Sequence, residues 1–152
     1  MTFDLTEIIL ILLPILVTGL TQVIKFMVKA VLNGKVSGRD LFIWGGFPSS
    51  HAALVGSLAT LVWLFRGFAS IEFMLVLGFG VIVLRDAMGL REFVEKHSLA
   101  INVLRKNLSP AQQKQVPQQI ESVGHSPLEV AAGLVIGVAA SVLAYYLLPA
   151  TL

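Results

Sequence analysis

Long apolar runs constrain this chain more than any motif in it. Between Ile8 and Leu20 only Pro14 and Thr18 break the apolar character, and the run continues to about Val31. Further apolar runs occupy residues 48–65, 71–90 and 126–148. A helix that crosses a bilayer needs about 20 mostly apolar residues. In lipid every backbone N–H and C=O must be satisfied within the protein. The expected fold is therefore all-α: a polytopic integral membrane helix bundle with about four transmembrane helices, forming one domain over 1–152. Composition agrees. The chain is 56% hydrophobic and 13% charged, where a soluble domain carries about 25% charged residues. The stretch from Met1 to Glu7 is acidic and no small-residue cleavage site follows it, so the first run reads as a retained span.

The second run reaches bilayer length only if the turn Pro48–His51 lies inside the membrane boundary. Between the third and fourth runs lies a long polar segment, 92–124. Its first part, with Val94, Leu99, Ile101 and Leu104 among charged residues, reads as a surface helix in the membrane interface. Gln112, Gln113 and Gln115, between Pro110 and Pro117, read as a connector. His97 reads as solvated. Gly133 and Gly137 give the fourth span a small-residue face for close helix packing.

Several functions are excluded. A net charge of +2 with no basic–aromatic alternation argues against nucleic acid as a partner. The chain has no cysteine, which removes disulfides and thiolate metal sites.

Polar residues gather at matching ends of the spans. Gln22 and Lys25 lie at the end of the first. Gly45-Gly46-Phe47-Pro48-Ser49-Ser50-His51 opens the second, Arg85, Asp86 and Arg91 close the third, and His125, Ser126 and Glu129 open the fourth. Four spans bring all of these to one membrane face. Of the 11 Lys and Arg residues, Arg66 alone falls on the other face. The positive-inside rule then places loops 32–47 and 91–125 in the cytoplasm and both termini opposite, in a cell (inner) membrane.

The residue types point to an oxyanion. A helix start offers unpaired N–H groups and the positive end of its dipole, and small residues there allow close approach. Arginine donates in a bidentate fork, and Lys25 supplies a point charge. Two histidines suit nucleophilic and acid–base roles. Glu129, four residues after His125, is placed to hold its imidazole in one tautomer, and Ser126 with Glu129 also reads as a capping box. Arg85 and Asp86 are costly in lipid unless paired or facing a cavity.

These residues resemble the divergent branch of the type 2 phosphatidic acid phosphatase superfamily, to which vanadium-dependent haloperoxidases also belong. The resemblance rests on Gln22-Val23-Ile24-Lys25, Phe47-Pro48-Ser49-Ser50-His51, Asp86-Ala87-Met88-Gly89-Leu90-Arg91 and Gly124-His125-Ser126-Pro127-Leu128-Glu129. It implies a membrane lipid phosphatase working through a phosphohistidine. His125 would be the nucleophile, His51 the acid for the leaving alcohol, and Glu129 the residue orienting His125. Lys25, Ser49, Ser50 and Arg91, or else Arg85, would bind phosphate, with Gln22 and Asp86 in support. The implied partners are a lipid phosphate substrate and membrane lipids, with a homodimer thickening the thin wall of four spans. The scheme calls for no cofactor or metal; Asp86 and Glu129 are the carboxylates through which a divalent ion would be held. The chain departs from the wider superfamily in three places. Leu32-Asn33 stands where Arg-Pro would follow the lysine, Ser50 replaces a glycine, and residues 92–124 separate the arginine from His125. The alternative reading is a non-catalytic membrane protein that binds anionic headgroups, as an assembly or transport factor.

Overall fold

The computed structural model describes residues 5–34, 45–121 and 124–148. All of its regular structure is helical: α1 (Leu5–Asn33), α2 (Ser50–Arg66), α3 (Ile71–Arg85), α4 (Arg91–Lys106), α5 (Pro110–Gln113) and α6 (Pro127–Leu147). Three helical segments, Ile8–Leu32, Ile71–Lys106 and Pro127–Leu147, are long and apolar enough to cross a membrane, and Ser50–Arg66 is a shorter apolar helix. Expected loop residues Lys35, Arg39, Asp40 and Trp44 lie outside the described residues.

The short helix α2 is the hub and packs against α1, α3 and α6. Its sequence explains why. Ala52, Ala53, Gly56 and Ser57 are small, so neighbouring backbones come close. Against them α6 sets Gly133 and Gly137, whose missing Cβ atoms would overlap the carbonyl oxygens of Ser49 and Ala53. One turn further on, the buried hydroxyls of Ser57 and Ser141 share a 2.7 Å hydrogen bond. On α1 the buried residues Leu10, Pro14, Val17, Thr21 and Lys25 recur at three- and four-residue spacing, which is one helix face. That face carries the apolar packing down to Thr21 and delivers Lys25 to the polar end.

The third span differs from expectation. Its helix does not stop at Leu90 to restart as a separate surface helix. It runs on as 36 helical residues, Ile71–Lys106, with a π-turn at Asp86–Leu90. Charged side chains at 85–91 mark the end of the apolar stretch, but helix ends are set by backbone hydrogen bonds. Here they continue, with the Arg91 N–H donating to the Asp86 carbonyl.

Residues 107–121 return along α4 as a strap. The Asn102 amide donates to the Gln119 carbonyl at 2.8 Å and accepts the Gln119 N–H at 2.9 Å. Arg105 Nε donates to the Val116 carbonyl at 2.7 Å. The Gly124 N–H donates to Glu95 Oε2 at 3.1 Å. The connector expected around Pro110 contains one helical turn, α5, closed by a Ser109–Gln112 capping box.

Candidate functional site

Two helix starts meet at the polar end. The Ser49 N–H donates to the Glu129 carbonyl at 3.0 Å, which ties the first turns of α2 and α6 together. His51 stands in the first turn of α2 and His125 just before α6. Their ring centroids are 6.0 Å apart with the planes at 82°. Both helix dipoles present their positive ends here, with N–H groups that have no intrahelical acceptor.

Lys25 is buried, and its stem runs past Gly46, where an added Cβ would sit 3.7 Å from Lys25 Cδ. Gly46 has φ +86°, a conformation that favours glycine and lets the backbone pass the lysine. Gln22 Nε2 lies 3.4 Å from Ser50 Oγ, and Gln22 Oε1 is buried with no hydrogen-bond partner among the described residues. Ser49 is fully buried and spends an acceptor on its own helix, taking the Ala52 N–H at 3.3 Å.

The π-turn positions the arginine. In an α-helix, residues five apart point about 140° apart. The wider π-turn returns Arg91 to the face of Asp86, and Arg91 Nε donates to Asp86 Oδ2 at 3.0 Å. Arg91 Nη2 then stands 3.5 Å from His51 Nε2. A guanidinium only donates, so this nitrogen faces it as the acceptor and the ring proton belongs on Nδ1. The same turn holds the nucleophile candidate: the His125 N–H donates to the Ala87 carbonyl at 3.2 Å. π-turns are frequent at functional sites. Here a single turn fixes the arginine side chain and the backbone of His125.

His125 is buried, and neither of its ring nitrogens has a hydrogen-bond partner among the described residues. Burial, with Lys25, His51 and Arg91 around it, pushes its pKa down from 6.5 to about 4. The ring is then neutral at pH 7 and keeps a lone pair. A histidine-selective NMR titration in micelles should place the His125 midpoint near 4. Lys25→Met removes a cation that disfavours the imidazolium, so it should move that midpoint upward. A wild-type midpoint at 6.5 would contradict this electrostatic picture.

Two expected roles change. Glu129 does not hold the His125 ring: its Oε2 takes the Ser126 N–H at 3.1 Å and completes the capping box. The carboxylate reaches back to the helix cap, and neither imidazole nitrogen of His125 has a hydrogen-bond partner among the described residues. Arg85 is exposed and Asp86 pairs with Arg91, so Arg91 is the arginine at the histidines and Arg85–Asp86 is no ion pair. Beside His125 opens a cavity of about 460 Å³, lined also by Glu92, Glu95 and Glu129. Among the described residues no three His, Asp or Glu side chains are grouped to hold a metal ion.

The π-turn, the Asp86–Arg91 pair and the Ala87–His125 tie escaped the sequence reading. The available signal was an acid and a base five apart around Gly89, out of phase with an α-helix.

The sequence model of the Divergent PAP2 family matches residues 6–140, from the first span well into the last. The chain belongs to this family. All four site segments, from Gln22 to Glu129, lie within the matched stretch. The chain is also 33% identical over 137 residues to the uncharacterized membrane protein YuiD of Bacillus subtilis (strain 168), a match covering 82% of this chain and 87% of the relative. No solved structure matches it. This chain, like that relative, is an integral membrane protein.

Proposed function

We propose that this protein is a membrane lipid phosphatase that hydrolyses a phosphomonoester or diphosphate through a phosphohistidine, working from the cytoplasmic face of the cell (inner) membrane. One observation carries the reading: a buried, neutral histidine whose ring nitrogens have no partner among the described residues faces a second histidine, with Arg91 and Lys25 beside the pair. Phosphoryl transfer asks mainly for positioning and charge neutralisation. Arg91, Lys25 and the N–H groups at the start of α2 supply fixed donors for the phosphoryl oxygens. His125 attacks phosphorus, and the bond to the leaving oxygen breaks as His51, neutral in the free site and charged by a proton taken up with the substrate's phosphate, gives that oxygen its proton. Water then attacks the phosphohistidine, His51 takes the water's proton, and inorganic phosphate departs.

The engagement of Glu129 in the cap favours a second reading, in which the same site binds anionic headgroups without turnover. Phosphate release from a panel of phosphatidate, phosphatidylglycerol phosphate and polyprenyl diphosphate separates the two. The phosphatase reading expects release from at least one lipid, inhibited by vanadate as a mimic of the five-coordinate phosphorus. Binding of every lipid with release from none would establish the second reading.

A further inference from the structure

The face of α2 that bears His51 continues away from the site as an apolar wall. His51, Val55, Ala59 and Trp63 follow at four-residue spacing and so share one side of the helix. Val55, Ala59 and Trp63 line a cavity of about 360 Å³ between α2, α3 and α6. Leu77 and Leu84 of α3 and Leu134 of α6 form the facing walls. The hydroxyl of Thr60, also on the wall, is spent on the Gly56 carbonyl at 2.7 Å, so the lining offers hydrocarbon. Leu84 stands just before the Arg85–Arg91 segment, so both long walls begin next to the polar site.

An aromatic cluster marks the far end. Trp63 and Phe68 have ring centroids 4.7 Å apart, and Phe68 and Phe73 are 5.1 Å apart edge to face. Twelve residues of helix separate His51 from Trp63, about 18 Å. One leaflet of a bilayer core is about 15 Å deep. A lipid whose phosphate lies at His51 thus has an apolar cavity that starts one helical turn below it, at Val55, and follows α2 for about 12 Å to Trp63, within one leaflet.

We propose that this cavity holds one hydrocarbon chain of the substrate lipid, with the Trp63–Phe68–Phe73 cluster as its end stop. The proposal rests on the phosphatase reading for the position of the headgroup. A second, larger apolar groove of about 750 Å³ follows the outer side of α6 past Leu143 and Tyr146. It is lined by one helix alone and begins at Leu134, well below His125, so a lipid anchored at the histidines does not reach it directly.

Ala59→Leu fills the cavity at mid-depth and Trp63→Ala removes the stop; neither residue is part of the polar site. With dipalmitoyl phosphatidate as substrate, Ala59→Leu should lower kcat/KM about tenfold, the effect of taking some two methylenes out of apolar contact. With dihexanoyl phosphatidate it should stay within about twofold. Trp63→Ala should shift the preferred chain length upward, which also tests the idea if Ala59→Leu folds poorly. Equal losses on both substrates, or an unchanged chain-length profile in both variants, overturns it. If the wild type releases no phosphate from any lipid, the phosphatase reading fails by itself. The cavity is then tested by photocrosslinking a long-chain alkyl phosphonate that carries a diazirine near its chain end. Adducts within 55–63 and 73–84 uphold it, and adducts confined to the outer side of α6 overturn it.

Discussion

Replacing His125 by alanine should cut phosphate release from a lipid phosphate by about 10⁴-fold or more, because it deletes the atom that bonds to phosphorus. His51→Ala should cost less, about 10²–10⁴-fold, as loss of an acid–base catalyst does. The difference has a chemical signature. A leaving group as acidic as 4-nitrophenol needs no proton, so 4-nitrophenyl phosphate should restore the first step in His51→Ala but not in His125→Ala. The second step still lacks a base to activate water. The His51→Ala protein should therefore accumulate an acid-labile phosphoenzyme, seen as label retained on the protein from radiolabelled substrate. Unchanged release in His125→Ala would remove it as nucleophile. A phosphoenzyme that survives in that variant would move the nucleophile to another residue.

The parts of this site that could be read from sequence obey α-helical spacing or simple polarity. The apolar runs, the turn after Arg66, the Ser126–Glu129 cap and the Gly133–Gly137 packing face are of that kind, and each is present in the structure. Gly133 and Gly137 are legible because backbones approach closely only where side chains are small. The arrangement around Arg91 is of another kind. Asp86 and Arg91 share a face only because the helix widens between them. Ala87, the buried residue of that turn, lends its carbonyl to His125, which is distant in sequence. A tertiary hydrogen bond of this sort leaves no periodic trace. Glu129 shows the reverse limit. Its spacing fits two roles, caring for the cap or for the imidazole, and only the geometry reveals that the cap takes the carboxylate.

The dependence of the chemistry on helix packing gives the other large expected effect. Gly133→Ala places a methyl group where the Ser49 carbonyl oxygen lies, and 2.9 Å from the Ala52 Cβ. Neither neighbour can swing aside. The carbonyl belongs to the capping residue of α2, and Ala52 is fully buried in its first turn. The strain must separate the starts of α2 and α6, where the Ser49–Glu129 backbone bond now holds them and the two histidine rings stand 6.0 Å apart. Overpacking of this kind costs about 1–3 kcal/mol of stability. A shift of about 1 Å between catalytic groups costs about 10²-fold in rate. Gly133→Ala should therefore lose roughly that factor in kcat while its helix content by circular dichroism stays native. Gly78→Ala is the matched control, since an added Cβ there meets nothing within 4 Å and faces away from the bundle. It should leave both stability and rate unchanged. Equal rates for Gly133→Ala and Gly78→Ala would show that the contact between α2 and α6 does not set the distance between His51 and His125.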